Sequence, residues 1–423
     1  MNNIFGRFAL AFKDKAIVKR IVYTVVGLVI FRLLAAIPIP GVDTLALERM
    51  LSGNQFFGLL NIFSGGGLSN LSLVMLGVGP YITGSIIMQL LTMMVPSLKA
   101  MQQEDGEAGR ARISQYSRIL SIPLSFIQAF GFIKLLQSQQ VLSALGGFDL
   151  LTNILVITAG SVLLMWIGEL ITEFGIGNGV SLIIFAGIVA VIPAQFGQLF
   201  TAYDPSQIPL YIGFIIIALL VIAGVVMVNE AERPVPVTYA RQVKGGKTYG
   251  GVSTYIPLRL NQAGVIPIIF ALSILLFPQM ILNFMSRSAN ATLANIGTVG
   301  FDLFNNQLIY GVSYFILVVL FTYFYTAVTF DPKQMSENLQ KSGAFLSGIR
   351  PGEHTTTFIE RIVTRITLVG ALFLGIVAVL PLIFQAFTGT RSMAIGGTAL
   401  LIVVSVVLDL VKKIDAQVSM REY

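Results

Sequence analysis

The chain has no cysteine and a single histidine, His354, among its 423 residues. The first absence excludes disulfides, thiolate chemistry and cysteine-held iron–sulfur sites; the second argues against a metal site or a histidine-based catalytic group. Charge is scarce as well, with Asp, Glu, Lys and Arg at 11% of residues against 55% hydrophobic. One water-soluble core cannot hide that much apolar surface, so the solvent for most of this chain is a lipid bilayer. The apolar run from Ile21 to Ile37 lacks a small-residue cleavage site and follows a charged, semi-amphipathic stretch from Phe5 to Arg20. It reads as a first membrane span, not as a removed signal.

Ten apolar runs of spanning length follow one another, at about 21–37, 71–95, 117–136, 152–172, 179–200, 208–228, 263–284, 308–330, 364–387 and 393–411. Helices are expected, because hydrocarbon offers no partner for open backbone groups. Of the 27 Lys and Arg, 22 fall in alternate connections: before the first run, in 99–118, 233–259 and 333–365, and in 412–421. That asymmetry assigns these connections and both termini to the cytoplasm. Ten spans divide into two groups of five, and an odd number per group makes the second group enter the membrane in the opposite sense. The expected organisation is an N-terminal cytoplasmic segment 1–20, a first half 21–200, a second half 208–411 with cytoplasmic connections 230–262 and 331–362, and a tail 412–423. Topology alone admits both a single membrane domain and a two-halved shell around a central path.

The familiar chemical constellations are missing. "GVGPYITG" and "GIGNG" do not complete a dinucleotide fingerprint, and "SGGG" is not followed by Lys-Ser/Thr, so no phosphate loop or cofactor site is expected. His354 sits in the cytoplasmic "RPGEH", where a solvated loop residue is the simpler reading. Glu169, Glu173 and Asp409 fall near inner span ends, where capping or pairing is expected, and no carboxylate lies in the middle of a span. A proton- or sodium-coupled carrier ordinarily places coordinating groups there. The presumed midplane is aliphatic instead: Val78 and Ile82 are four apart, as are Val180 and Ile184, while Ile269 and Ile402 lie inside the seventh and tenth runs. Taken alone, such residues are ordinary packing or lipid-facing side chains.

One stretch fits no span. "FGLLNIFSGGGLSN", Phe57 to Asn70, is apolar yet shorter than the roughly 20 residues a crossing needs. Two placements remain open: an interfacial helix on the outer leaflet, or a segment dropped into a cavity inside the protein, where non-helical backbone is tolerated. In the second case Gly65, Gly66 and Gly67 supply a loose hinge.

Longer motifs select among these readings. "FRLLAAIPIPGVD" (31–43), "NIFSGGGLSNLS" (61–72), "GVGPYITGSIIMQLL" (77–91), "ISQYSR" (113–118), "MWIGELITEFGIGNGVSLIIFAGI" (165–188), "NQAGVIPIIFA" (261–271), "KSGAFLSGIRPGE" (341–353) and "GGTALLIVV" (396–404) resemble the SecY family, the channel subunits of the bacterial Sec protein-conducting translocon. The resemblance runs the whole chain in order. It implies an all-α integral membrane protein of the bacterial cytoplasmic membrane, with ten helices in two inverted halves clamped around an hourglass pore. It also implies no enzyme activity and no cofactor.

Several site assignments come with the resemblance. The stretch 57–70 becomes a plug that closes the outer funnel, carried by Phe57, Leu60, Ile62, Phe63, Gly65, Gly66, Gly67 and Leu68. Val78, Ile82, Val180, Ile184, Ile269 and Ile402 become a pore ring, a ring of branched side chains that dewets when empty yet yields to any polypeptide. Val180 and Ile184 lie near the start of the fifth run, so either that helix begins below the cytoplasmic surface or the assignment fails for these two. Thr83, Gln128 and Asn261 become polar residues of a lateral gate, hydrogen-bonding across helices to hold a seam shut for about 0.6 kcal/mol per bond. Arg241, Lys244, Lys247 and Arg350 become docking residues for the motor ATPase SecA and the ribosome, since basic side chains suit RNA phosphates. The family further implies SecE-type and SecG-type small membrane subunits, and signal sequences and nascent polypeptides as passengers. The alternative from another class is a secondary transporter of a small solute.

Overall fold

The computed structural model describes residues 13–39, 61, 64, 66–68, 70–104, 106–138, 141–142, 146–201, 208–239, 242–244, 247–249, 253–286, 290–388 and 396–419. Helices dominate: α1 (Lys15–Ala35), α2 (Gly79–Met94), α3 (Pro96–Glu104), α4 (Gly106–Ser138), α5 (Gly147–Phe174), α6 (Gly179–Thr201), α7 (Ile208–Glu230), α8 (Ile266–Met285), α9 (Ala291–Asn305), α10 (Gln307–Thr329), α11 (Pro332–Lys341), α12 (Glu353–Thr388) and α13 (Gly396–Ser419). Among the described residues, four stretches are by length and composition alone able to cross a membrane: Gly106–Gln137, Gly147–Phe174, Gln307–Lys341 and Glu353–Ile383. Gly79–Met94 and Pro96–Gln102 make a fifth only as a pair bent by 106°. The bend has a local cause. Val95 precedes Pro96, which disfavours helical backbone at that residue, and Val95 is extended at φ −104°.

The run 71–95 is not one helix, which corrects the span drawn from hydropathy. Helix α2 starts at Gly79, and the residues before it form consecutive turns, with Leu71 at φ +40° and Gly77 at φ +57°. Leu71, Ser72, Val74, Met75, Leu76 and Val78 are all buried there. Backbone this deep must find partners inside the protein. It finds them in the end of the first span: Ile39 N–H donates to the Leu71 carbonyl at 2.9 Å, and Leu73 N–H to the Ile37 carbonyl at 3.1 Å. On the other side Ser161 of α5 donates to the Gly77 carbonyl at 2.9 Å. Gly160, next to it, lets α5 come so close that any Cβ would collide with the Leu73 carbonyl.

Five strands form where hydropathy shows only connections: β1 (Glu232–Tyr239), β2 (Gln242–Lys244), β3 (Lys247–Tyr249), β4 (Ser253–Arg259) and β5 (Ala344–Leu346). β1 lies between β4 and β5, antiparallel to both, with Val235 opposite Ile256 and Val237 opposite Leu346. The two connections 230–262 and 331–362 are therefore one folded unit. Val235, Val237, Leu258, Ala344 and Leu346 bury their side chains on Ile359, Ile362, Val363 and Ile366 of α12. Helix α12 has the length for this: 36 residues span about 54 Å, well beyond the hydrocarbon thickness, so its first turns serve as a post outside the membrane.

Candidate functional site

The six aliphatic residues come from four helices and meet in one contiguous apolar cluster: Val78 and Ile82 from the start of α2, Val180 and Ile184 from α6, Ile269 from α8 and Ile402 from α13. Five of them are between 0% and 6% exposed, and Val180 is half-buried at the cluster's edge. Burial of that degree leaves no water-lined passage at their level among the described residues. At these six positions the cluster holds branched aliphatic side chains and no polar group.

The depth of Val180 and Ile184 is set by α5. Glycine at both Gly168 and Gly179 lets the two backbones touch, since a Cβ on Gly179 would collide with the Gly168 carbonyl oxygen. Gly168 lies six residues before the end of α5 at Phe174, so α6 begins about 9 Å below that end. Val180 then packs directly over Gly168, with its Cγ2 3.2 Å from where a Cβ there would sit. The intervening "GIGN" folds back through Gly177 at φ +94°. Thr24 Oγ1 accepts from Ile176 N–H at 3.1 Å, Thr172 Oγ1 from Gly179 N–H at 2.8 Å, and Asn178 Oδ1 from Ser181 N–H at 3.1 Å, which caps α6. Helix α6 therefore starts short of the end of α5.

Of the residues assigned to the plug, Phe57, Leu60, Ile62, Phe63 and Gly65 lie outside the described residues. Gly66, Gly67 and Leu68 are buried, and they are pinned, not a loose hinge. Gly66 N–H donates to the Asn61 carbonyl at 2.8 Å and Gly67 N–H to the Ser64 carbonyl at 3.2 Å. Gly66 stands at φ +80°, and a Cβ on Gly67 would sit 2.9 Å from Ser72 Oγ, so glycine is needed here for backbone shape and close approach. Leu68 anchors the turn in a second apolar cluster with Leu71, Met75, Ile133, Leu136, Ile154 and Ile157.

The polar residues assigned to the lateral gate do not hydrogen-bond to one another. Helices α2 and α8 do touch, but Thr83 Oγ1 donates to Gly79 of its own helix at 3.0 Å, and Gln128 on α4 is half-buried. Asn261 is buried and turned the other way: its Nδ2 donates to Asn229 Oδ1 at 2.8 Å and to the Gly264 carbonyl at 3.1 Å. Asn229, at the inner end of α7, donates in turn to Ser405 of α13 at 3.2 Å, one turn from Ile402. Lys412 adds an ion pair to Glu230 at 2.8 Å. The expected bonds across the seam are thus replaced by a clasp within the second half. Asn229 was not singled out by sequence, because a polar residue at the end of an apolar run reads as a boundary. Replacing Asn229 with Leu leaves the Asn261 amide with only one of its two acceptors and should lower stability by about 1–2 kcal/mol. A thermal melt of the purified protein checks this, and an unchanged midpoint would show the clasp to be energetically idle.

The charged span-end residues pair as expected in two cases: Glu169 with Arg118 of α4, and Asp409 with Lys413 at 3.0 Å. Arg350 is exposed on the turn between β5 and α12. That turn is rigid: Gly348 and Gly352 stand at φ +82° and +101°, Thr355 Oγ1 donates to the Arg350 carbonyl at 3.1 Å, and Ser336 Oγ donates to the Gly352 carbonyl at 2.9 Å. Lys244 and Lys247 face each other as a backbone pair at the tip of the β2–β3 hairpin; Arg241 lies outside the described residues.

A bundle of apolar helices around a buried aliphatic cluster, with a small β-sheet packed on α12, defines a helical membrane protein with the fold of the protein-conducting channels. The chain aligns over 96% of its length with 93% of a solved protein-conducting channel, at TM-score 0.65 and 19% identity. Similar coverage holds for a SecY structure concerned with the plug domain that stabilises the closed channel, at TM-score 0.64 and 20% identity, and for Sec61 in a canine ribosome–channel complex, at TM-score 0.58 and 19% identity, with 96% of this chain and 93% of that one covered. The SecY family model matches residues 72–411. Protein translocase subunit SecY of Streptomyces galbus is 39% identical over 434 residues, covering 98% of each chain, and that of Mycobacterium tuberculosis is 40% identical over 428 residues, covering 96% of each. The chain belongs to the SecY family.

Proposed function

We propose that this chain is the passive channel through which unfolded secretory polypeptides cross, and membrane-protein helices are released laterally into, the bacterial cytoplasmic membrane. The observation that carries this reading is that Val78, Ile82, Val180, Ile184, Ile269 and Ile402 fall in one apolar cluster in a chain of the SecY family. A conductor of every sequence requires walls that bind none. The small-solute carrier finds no support in either the family or the fold.

Ten of the helices are read as the spans: α1, α2, α4, α5 and α6 in one half and α7, α8, α10, α12 and α13 in the other, inverted half. Both termini are cytoplasmic, by the distribution of Lys and Arg. Residues 57–70 are the plug, and its described part at Gly66–Leu68 is a buried turn. The seam between α2 and α8, near Thr83, Gln128 and Asn261, is the lateral gate; its closure rests on apolar contact, so an apolar signal helix can replace like with like. The chain is not an enzyme, and its driving force comes from partners. SecA and the ribosome dock on the folded cytoplasmic unit, through Arg241, Lys244, Lys247 and Arg350, and small SecE-type and SecG-type subunits complete the complex. The likeness to a ribosome-bound Sec61 supports this reading, as does the single platform that the β-sheet makes of two distant connections.

The test is reconstitution. Proteoliposomes holding the chain with its small subunits should protect a signal-bearing preprotein from protease only when SecA and ATP are supplied outside. Uptake of a small solute without preprotein protection would overturn the reading. In the same assay Arg350→Glu should cut protection by about tenfold while resting ion conductance stays at the parent level, because like charge repels an acidic partner surface at a site far from the seal. Parent-like export with SecA limiting would remove Arg350 from the docking surface.

A further inference from the structure

Helix α9 lies in a stretch that hydropathy leaves as a connection between the seventh and eighth spans, and its 15 residues divide into three sectors. At about 100° per residue, Gly297, Gly300 and Phe304 fall within one sector, Ile296, Val299 and Leu303 within a second, and Asn295, Thr298 and Asp302 within a third. The first faces protein. A Cβ on Gly297 would sit 2.6 Å from the Met285 carbonyl carbon and one on Gly300 2.6 Å from Leu282 Cδ2, so the two glycines seat α9 against the outer end of α8, and Phe304 packs on the main apolar cluster. The third sector is polar and exposed. The second is apolar and exposed all the same: Ile296 at 53%, Val299 at 56% and Leu303 at 51%.

Something other than water covers that second sector. Asn306 both ends α9 and caps α10, accepting from Leu308 N–H at 3.0 Å, so one helix runs directly into the next. On α10 the exposed residues Leu308, Val312, Ile316 and Leu320 recur every four positions, a stripe that faces lipid if α10 crosses the bilayer. Leu303, five residues before Leu308, is exposed as well. The sector carries no charge, and the single acid of the helix, Asp302, lies on the polar side. Protein, hydrocarbon and water on three flanks of one helix are the environment of the membrane interface.

We propose that α9 is an interfacial helix whose Ile296–Val299–Leu303 flank is seated in the outer leaflet, giving the outer ends of α8 and α10 a lipid-held arm. The proposal uses the channel reading only in taking α10 as a span. Because α8 forms one side of the seam, the arm couples the seam to the leaflet that a departing helix would enter.

The chain has no native cysteine, so single cysteines at 295, 296, 298, 299, 302, 303 and 316 can each carry a fluorescent label in proteoliposomes of the reconstituted complex. The probe is phospholipid bearing a nitroxide quencher high on its acyl chain. Labels at 296, 299 and 303 should be quenched at least about twofold more than those at 295, 298 and 302, as a helix buried a few ångströms into the interface requires. The label at Ile316 is the reference for the span. Quenching at 316 with no contrast between the two α9 sets would overturn the proposal and leave the channel reading intact. Quenching at neither 316 nor α9 would count against α10 as a span. Contrast that appears only when the protein is diluted at a constant proportion of nitroxide lipid would identify a second copy as the occupant and overturn the lipid assignment.

Discussion

Vesicles holding the triple variant Ile82→Ser, Ile184→Ser, Ile402→Ser conduct ions at rest, on the order of tenfold or more above the parent. Each substitution swaps a buried branched side chain for a smaller hydroxyl in the one apolar cluster where α2, α6 and α13 meet. The volume lost wets, because a hydroxyl lining gives water partners that an aliphatic one withholds. Stability falls too, since each loss of a buried aliphatic side chain costs a few kcal/mol. The comparison therefore needs a second readout: a control triple of Leu258, Ile359 and Ile362 to Ser, in the apolar cluster between the β-sheet and α12, should destabilise comparably without raising conductance. Equal leakage from both triples, or a seal as tight as the parent's in the first, would remove these residues from the pore. Planar bilayers with the purified channel and no motor give the measurement directly.

Gly179→Val produces the largest loss of folded protein expected from one substitution. Its Cβ has no room, because the Gly168 carbonyl oxygen and Ile171 Cβ occupy the space, the latter 2.8 Å away. Both obstacles belong to the rigid helix α5, so α6 must withdraw and cannot simply rotate a side chain aside. Overpacking against backbone costs about 3 kcal/mol. Withdrawal also carries Val180 and Ile184 away from the seal, so whatever folds should leak. Folded yield by size exclusion and resting conductance of the recovered fraction check the two parts. A well-folded, sealed Gly179→Val would show that the depth of α6 is not set by this contact.

Much of this was legible from residues alone. The ratio of apolar to charged residues decides for a bilayer, the alternation of Lys and Arg orients the chain, and motifs such as "GELITEFGIGNGVSLIIFAGI" carry the family. The six aliphatic residues were singled out through that family and not through pattern, because Ile402 looks like any other isoleucine in an apolar helix. Other features left no one-dimensional trace. Hydropathy scores 71–78 and 79–94 alike, since burial in turns and burial in a helix ask for the same side chains; what distinguishes the turns is a set of carbonyls satisfied by Ile39, Leu73 and Ser161. The β-sheet joins residues about a hundred positions apart, and pairing over that distance is invisible to any local window. Asn261 suggests a bond across the seam only until Asn229 is seen beside it.

By itself, then, the sequence determined the solvent and the family, because transfer free energy adds up residue by residue along the chain and the family's motifs run its whole length. Only the tertiary structure decided where α6 begins, which partner Asn261 takes and which flank of α9 stays bare. Those depend on close approach between distant segments, at Gly168 and Gly179 or at Gly297 and Met285, where one missing Cβ settles whether two backbones can meet.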